Sequence, residues 1–381
     1  MTPKHIIILG VAHPYRGGIA AFNERLAHQF QAEGHRVEIV TFTLQYPSFL
    51  FPGKTQYSDS PAPADLHIER RLNSVNPFNW ITLGRELSRR RPDMLFVPYW
   101  MPFMAPCLGT VAHFVRSNGH TQVISLIHNL IPHERRIIDR QLSTYFMKNI
   151  DAAVALSRSV VEDVAQFPVS VPCSFSPHPL YDHYGALVDR AEACAHLGLD
   201  PSCRYVLFFG LIRDYKGLDL LLTAFADERL RDPNLRLVIA GEFYGRGEHY
   251  IELARQKGVY DRIDWHTHFI ANEEVRYYFS LADLVAQPYK HATQSGVTQV
   301  AYHFERPMLV TDVGGLAEIV PHGKVGVVTA PDAQAIADGL VAFFDTQASV
   351  DYLEGIREEK KKYAWDAMSS TILLHLDNRK Y

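Results

Sequence analysis

The sequence predicts an α/β protein made of two doubly wound domains that face each other across a cleft. Three observations predict it. The chain has 381 residues, room for about two domains of ~150 residues. Short apolar runs alternate with amphipathic stretches along its length, the pattern of parallel strands joined by helices. A proline-rich stretch near the middle, with Pro168, Pro172, Pro177 and Pro179, reads with the loop to 204 as a linker.

In the first half the strands fall near 5–10, 36–42, 94–98, 122–127 and 152–156. Most segments between them carry helix periodicity, as in Ala20, Leu26, Ala27 and Phe30, with Gly34 placed to stop that helix. Residues 45–65 hold Pro47, Pro52, Gly53, Pro61 and Pro63 and read as a long polar loop. From Met94 to Val115 the chain has no Asp, Glu, Lys or Arg, yet Pro98, Pro102, Pro106 and His113 interrupt it. A strand, a proline turn and a short buried helix are expected there rather than a bilayer span. The second half repeats the theme, with strands at Tyr205–Phe209, Leu235–Ala240, Ile263–Trp265, Leu284–Gln287, Met308–Thr311 and Gly326–Val328. Its helices fall at about 217–229, 247–257, 272–281, 296–304 and 331–345. The expected domains are 1–185 and 186–362, followed by a helix over 363–381.

Composition narrows the function classes. Apolar residues are 47% and charged residues 21%, ordinary for a globular chain with a sizeable core. Lys and Arg number 38 against 42 Asp and Glu, a net of −4, so nucleic acid is not an expected partner. Cys107, Cys173, Cys194 and Cys203 form no metal spacing and read as reduced thiols of a cytoplasmic protein. The apolar run Ile6–Leu9 is strand length, too short for a secretory signal. Residues 1–185 carry 17 Lys and Arg against 14 Asp and Glu, whereas residues 186–381 carry 21 against 28.

Chemistry concentrates at strand ends. In the block Gly210-Leu211-Ile212-Arg213-Asp214-Tyr215-Lys216-Gly217, Arg213 and Lys216 put two cations at a helix entrance. Backbone amides and the macrodipole already favour an anion there, and a diphosphate fits. A second loop, 292–299, offers Gln294, Ser295 as an N-cap, Gly296 for close backbone approach, and Val297, Thr298 and Gln299 beyond it. A third, Thr311 to Glu318, turns through Gly314 and Gly315. In the first half Gly17 and Gly18 open a helix without forming a dinucleotide fingerprint. His128 ends a strand, placed to donate a hydrogen bond or act as a base.

In this order, Gly17-Gly18, His128, the Arg213/Lys216 block, Gly241-Glu242, the 292–300 loop and Gly314-Gly315-Leu316-x-Glu318 resemble family 4 (group 1) retaining glycosyltransferases. Those proteins have the GT-B fold, two Rossmann-like domains. The resemblance runs nearly end to end. It implies a metal-independent hexosyltransferase that takes its sugar from a nucleotide-diphosphate donor, with no other cofactor. It further implies that Arg213 and Lys216 neutralise the leaving diphosphate and that His128 meets the donor sugar. Gly17 and Gly18 would lie against donor phosphate or acceptor. Gly210, Glu242, Gln294, Ser295, Gly296, Val297, Thr298 and Gln299 would line the donor. Tyr363-Ala364-Trp365 and the helix after it look like the closing helix that returns to the first domain. The chain has no D-x-D motif, which fits a cation-free site.

One departure stands out. The family usually shows two glutamates with seven residues between them; aligned on Pro307 these become Ala292 and Val300, and one residue earlier His291 and Gln299. Neither register has a carboxylate. An inactive nucleotide-sugar-binding partner subunit, or a nucleotide-sugar epimerase of the same fold, is therefore the alternative. For the acceptor, Arg70, Arg71, Arg85, Arg89, Arg90, Arg91 and Arg116 fall near the aromatic segment Tyr99–Met104. This suggests a glycan or lipid-linked acceptor of surface polysaccharide or glycoconjugate synthesis, met peripherally at the inner face of the membrane. The plainer expectation is that these arginines pair with local acids such as Glu69 and Glu86 and that Trp100 is core.

Overall fold

The computed structural model describes residues 2–47, 56–58, 61–128, 130, 137–292, 295–346 and 351–377. The chain divides into two compact units, Met1–His178 with Trp365–Tyr381, and Pro179–Ala364. The division falls at 178/179 and 364/365, beside the 185/186 and 362/363 expected from the sequence.

In the first unit β1 (His5–Leu9), β2 (Arg36–Leu44), β3 (Ile68–Asn73), β4 (Met94–Tyr99), β5 (Gln122–Ile127), β6 (Ala152–Ala155) and β7 (Cys173–Phe175) form a parallel sheet. Its order is β3-β2-β1-β4-β5-β6-β7. Successive side chains of β1 and β4 serve opposite faces. Ile7, Leu9, Leu95 and Val97 enter one core cluster, while Ile6, Ile8, Met94 and Phe96 enter the other, the alternation that a sheet covered on both sides requires. Helices α2 (Pro77–Arg90), α3 (Ala105–Arg116) and α4 (Ile137–Met147) contribute to the first cluster through Leu83, Leu108 and Phe146, as does α5 (Arg158–Ala165) through Val160. Helix α1 (Gly18–Ala32) and α14 (Trp365–Asp377) fill the second with Phe22, Leu26, Trp365 and Met368. The uncharged stretch from Met94 to Val115 is β4, a 3₁₀ turn at Pro102–Met104 and all of buried α3 but its last residue. Among the described residues no helix is long and apolar enough to cross a membrane.

Local chemistry sets the helix ends. Asn76 caps α2 by accepting from the Phe78 and Asn79 amides, with Pro77 in the first turn. Ser157 caps α5 through Val160. Two elements fall where none was expected. Strand β3 reads IERRLN and exposes two of its arginines; three-residue β7 lies within the stretch read as linker.

Among the described residues three of the seven arginines, Arg71, Arg90 and Arg116, pair with acids as the plainer expectation has it. Arg90 Nη1 donates to Glu38 (2.9 Å) and Glu69 (3.0 Å), and its Nη2 to Glu69 and Glu86 (both 2.8 Å). Arg71 pairs with Glu86, and Arg116 Nε meets Asp151 at 2.7 Å. Arg70 donates to the Phe42 and Thr43 carbonyls. Trp100 packs against the core and donates from its indole to the Tyr46 hydroxyl at 2.7 Å. Glu38, Glu69 and His67 lie close enough to share a cation, but guanidinium groups already occupy both carboxylates. Removing one partner of a buried pair leaves the other charge unpaired. Glu38 still keeps Arg36 at 2.6 Å and His5 at 3.0 Å. Arg90→Ala is therefore expected to lower stability by about 2 kcal/mol, the loss of charged hydrogen bonds rather than of a whole buried pair, measured by urea unfolding.

The second unit carries β8 (Arg204–Phe209), β9 (Leu235–Ala240), β10 (Ile263–His266), β11 (Leu284–Gln287), β12 (Met308–Thr311) and β13 (Gly326–Thr329). They form a parallel sheet of order β10-β9-β8-β11-β12-β13. Around it run α6 (Arg190–Leu197), α7 (Leu218–Ala224), α8 (Glu248–Gln256), α9 (Asn272–Leu281), α10 (Gly296–His303), α11 (Leu316–Ile319), α12 (Ala333–Thr346) and α13 (Tyr352–Lys360). Asp189 caps α6 and Gly198 ends it in the left-handed conformation, so this part of the expected linker is helical.

Candidate active site

From β8 the second sheet runs to β9 on one side and β11 on the other. Ligands of open α/β sheets bind at such a switch point, outside the carboxyl ends of the strands. The two loops leaving that point are 210–217 and 288–295.

Lys216 joins them. Its Nζ lies 5.7 Å from the ring centroid of Tyr289, beyond β11, and 3.0 Å from where a Cβ on Gly210, beyond β8, would stand. The residue is only 8% exposed, and among the described residues its ammonium makes no hydrogen bond or ion pair. Burial first, then the Arg213 charge, push its ammonium down to about 8. A buried cation without a counter-charge is costly. A bound anion relieves that cost.

Arg213 is exposed, and its Cζ lies 4.2 Å from the ring centroid of Tyr244. Two glycines let the loops close up. Gly217 has φ 70°, and a Cβ there would stand 1.9 Å from the Pro288 carbonyl oxygen. Gly241 has φ 139°, and its Cβ would stand 2.2 Å from the Gly210 carbonyl oxygen. Lys290 braces the first loop with 2.9 Å ion pairs to Asp214 and Asp219.

In the second loop Ser295 caps α10, accepting from the Val297 amide at 3.2 Å, and its hydroxyl lies 3.1 Å from that of Tyr289. Val297 is also neighbour to Gly210, and Gly296 leaves space beside Tyr181. Thr298 is fully buried and gives its hydroxyl proton to the Ser295 carbonyl at 2.5 Å, so its side chain holds the turn. Gln299 is buried with Oε1 unpartnered among the described residues, whereas Val300 lies in the apolar core. The polar position is thus the register that starts at His291. Between α10 and β12, Glu305 takes φ 54°. Gln287, at the end of β11 and 1% exposed, leaves both amide atoms without partners among the described residues. Glu242 exposes its side chain while its carbonyl accepts from Ile212 at 2.8 Å. Gln294 lies outside the described residues.

The first sheet has its own switch point, between β1 and β4. Gly17 opens α1 at φ 120°, with nothing within 4 Å of a Cβ, so backbone conformation alone requires glycine there. His128 continues the β4–β5 ladder, its amide donating to Tyr99 at 2.9 Å, and its ring meets Phe22 of α1 edge-on at 5.7 Å. The Nε2 atom is covered and unpartnered among the described residues. Burial, with a smaller push from His178, lowers the ring to about 3, so at neutral pH His128 is uncharged. An unfolded chain protonates this histidine near 6.5. Between those values the unfolded state binds the extra proton, and stability rises with pH, by up to about 1.4 kcal/mol per unit. His128→Gln is expected to flatten that slope, read from denaturant melts between pH 4 and 7.

Two family models match consecutive spans of the chain. "Glycosyltransferase Family 4" covers residues 16–175 and "Glycosyl transferases group 1" covers 203–346. The chain belongs to the family 4, group 1 glycosyltransferases. Among curated relatives of this family 4 chain, the D-inositol 3-phosphate glycosyltransferase of Jonesia denitrificans is 32% identical over 210 residues, 52% of this chain and 47% of that protein. The one from Corynebacterium aurimucosum is 28% identical over 250 residues, 62% of this chain and 58% of that protein. The chain thus spans about half the length of these relatives. A glycosyltransferase of Rickettsia africae superposes with a TM-score of 0.72 at 14% identity, over 99% of this chain and 100% of that one. Anabaena HepE in complex with UDP gives 0.71 at 14%, over 98% and 100%. The fold is that of the GT-B glycosyltransferases.

Gly210, Lys216, Ser295, Gly296 and Val297 therefore gather at the switch point of the second unit, and Gly17, Gly18 and His128 at strand ends of the first. Tyr181, Tyr244, Gln287, Tyr289 and Lys290 were not singled out from the sequence. They belong to no glycine or charge motif; only Lys290, a cation placed after a predicted strand end, offered a signal.

Proposed function

We propose that the protein is a retaining glycosyltransferase that moves a sugar from a nucleotide-diphosphate donor to a glycan or lipid-linked acceptor. The observation that carries this reading is the buried Lys216 ammonium, without a counter-charge among the described residues, at the switch point of the second sheet. The resemblance to HepE, whose structure holds UDP, supports a uridine donor. The D-inositol 3-phosphate glycosyltransferases support an acceptor carrying negative charge.

The chemistry follows from the charges. The bond between the anomeric carbon and the diphosphate oxygen breaks, and its electron pair leaves with the diphosphate. Lys216 and Arg213 stabilise that developing charge, with the first turn of α10 adding its dipole. The acceptor oxygen bonds to the anomeric carbon on the face the diphosphate vacates, and its proton passes to the departing phosphate oxygen. His128, held neutral by burial, is too weak a base to take that proton. Gln299, in place of a carboxylate, supplies a neutral hydrogen bond to the donor. An inactive donor-binding subunit is the second reading, favoured by that loss of charge.

The test incubates the full chain with UDP-, GDP- and ADP-sugars and follows diphosphate release and the anomeric signals by NMR, with excess EDTA or added manganese. Release of one diphosphate, undiminished in EDTA and with the donor's anomeric configuration kept in the product, is expected. Donor binding without turnover for any acceptor favours the second reading.

A further inference from the structure

We propose that Tyr244 is a positioning residue for Arg213, holding its guanidinium ready for the donor diphosphate; this rests on the donor-site reading above. Among the described residues the guanidinium makes no hydrogen bond or ion pair. What it has is the Tyr244 ring, 4.2 Å from Cζ. A cation over an aromatic face is held through the ring quadrupole, which leaves all five N–H donors of the arginine unspent for a diphosphate. A carboxylate in the same place would consume them.

Tyr244 is itself placed by backbone. The Ile212 amide donates to the Glu242 carbonyl at 2.8 Å, and the Tyr244 amide donates to the Ile212 carbonyl at 2.9 Å. These bonds tie the residue before Arg213 to both sides of Phe243, so the two loops are joined through backbone. Phe243 anchors the far loop by stacking on Tyr250 at 5.9 Å, and Gly247 leaves it space, since a Cβ there would stand 2.3 Å from the ring. The Tyr244 ring is 69% exposed. Its contribution to folding is small, and its position is explained by what it holds.

The experiment is a double-mutant cycle on the full chain, with UDP, ADP and GDP titrated calorimetrically. Tyr244→Ala and the bulk-preserving Tyr244→Leu are expected to weaken the best-bound diphosphate about two- to five-fold. Tyr244→Phe is expected to bind like wild type, with unfolding temperatures unchanged in all three. In an Arg213→Ala background, Tyr244→Ala should have no further effect. Equal losses in both backgrounds, or wild-type binding by Tyr244→Leu, overturn the proposal. Wild-type binding by Arg213→Ala alone instead strikes the donor-site reading, because it removes the residue that Tyr244 serves.

Discussion

Lys216→Met is expected to lower sugar-nucleotide turnover by ~10²–10³, the loss typical when one charged contact to a developing oxyanion is removed. Methionine keeps the length and apolar stem of the buried side chain while deleting the charge, so the fold should survive. Relieved of an uncompensated ammonium, the variant should even unfold at a slightly higher temperature. The pH dependence gives a second signature. Lys216 is pushed down to about 8, and a diphosphate binds the protonated form. Affinity is therefore level below that value and falls as pH rises above it, by up to about tenfold per unit. Lys216→Met should show no such break. Turnover by Lys216→Met at the wild-type rate would contradict the assignment.

Gly217→Ala and Gly241→Ala are expected to have the largest effects on stability around the site. A left-handed backbone costs an alanine about 1–2 kcal/mol. Each new methyl would also collide with a carbonyl oxygen, at 1.9 Å for Gly217 and 2.2 Å for Gly241. Displacing backbone to relieve such overlap adds about 1–3 kcal/mol. Gly323 separates the two contributions, since its φ is 76° but nothing lies within 4 Å of a Cβ. Gly323→Ala should lose only the conformational part. Urea melts of the three variants check the ranking; equal losses at all three positions would mean that the carbonyl contacts carry no weight.

The fold was readable because buried parallel strands announce themselves. Runs such as VLFF in β8 and LVIA in β9 are continuous and apolar, and helices between them keep a clear period. What was unreadable lay at edges. Strand β3 carries Glu69, Arg70 and Arg71 in succession because it is an edge strand, and charges there are tolerated. Strand β7 is short and hidden among prolines. The partners of the arginines were legible only where they lie close in sequence. Arg90 is 52 residues from Glu38 in sequence, and only the pairing of strands brings that acid within reach.

The site divides in the same way. Glycine turns and paired cations at strand ends were legible because such residues form recognisable motifs beside apolar strand runs. The aromatic surroundings were not, since a tyrosine under Lys216 or Arg213 looks no different in sequence from any other tyrosine. Nor could spacing alone choose between Gln299 and Val300; burial in the apolar core decides against Val300.

The central claim is that the second unit recognises a diphosphate through Lys216 and Arg213. The most direct test is calorimetric titration of the full chain with matched pairs, UDP and UMP, ADP and AMP, GDP and GMP. One diphosphate is expected to bind at least tenfold more tightly than its monophosphate, and Lys216→Met should remove most of that difference. Equal affinity for the two members of every pair would contradict the account.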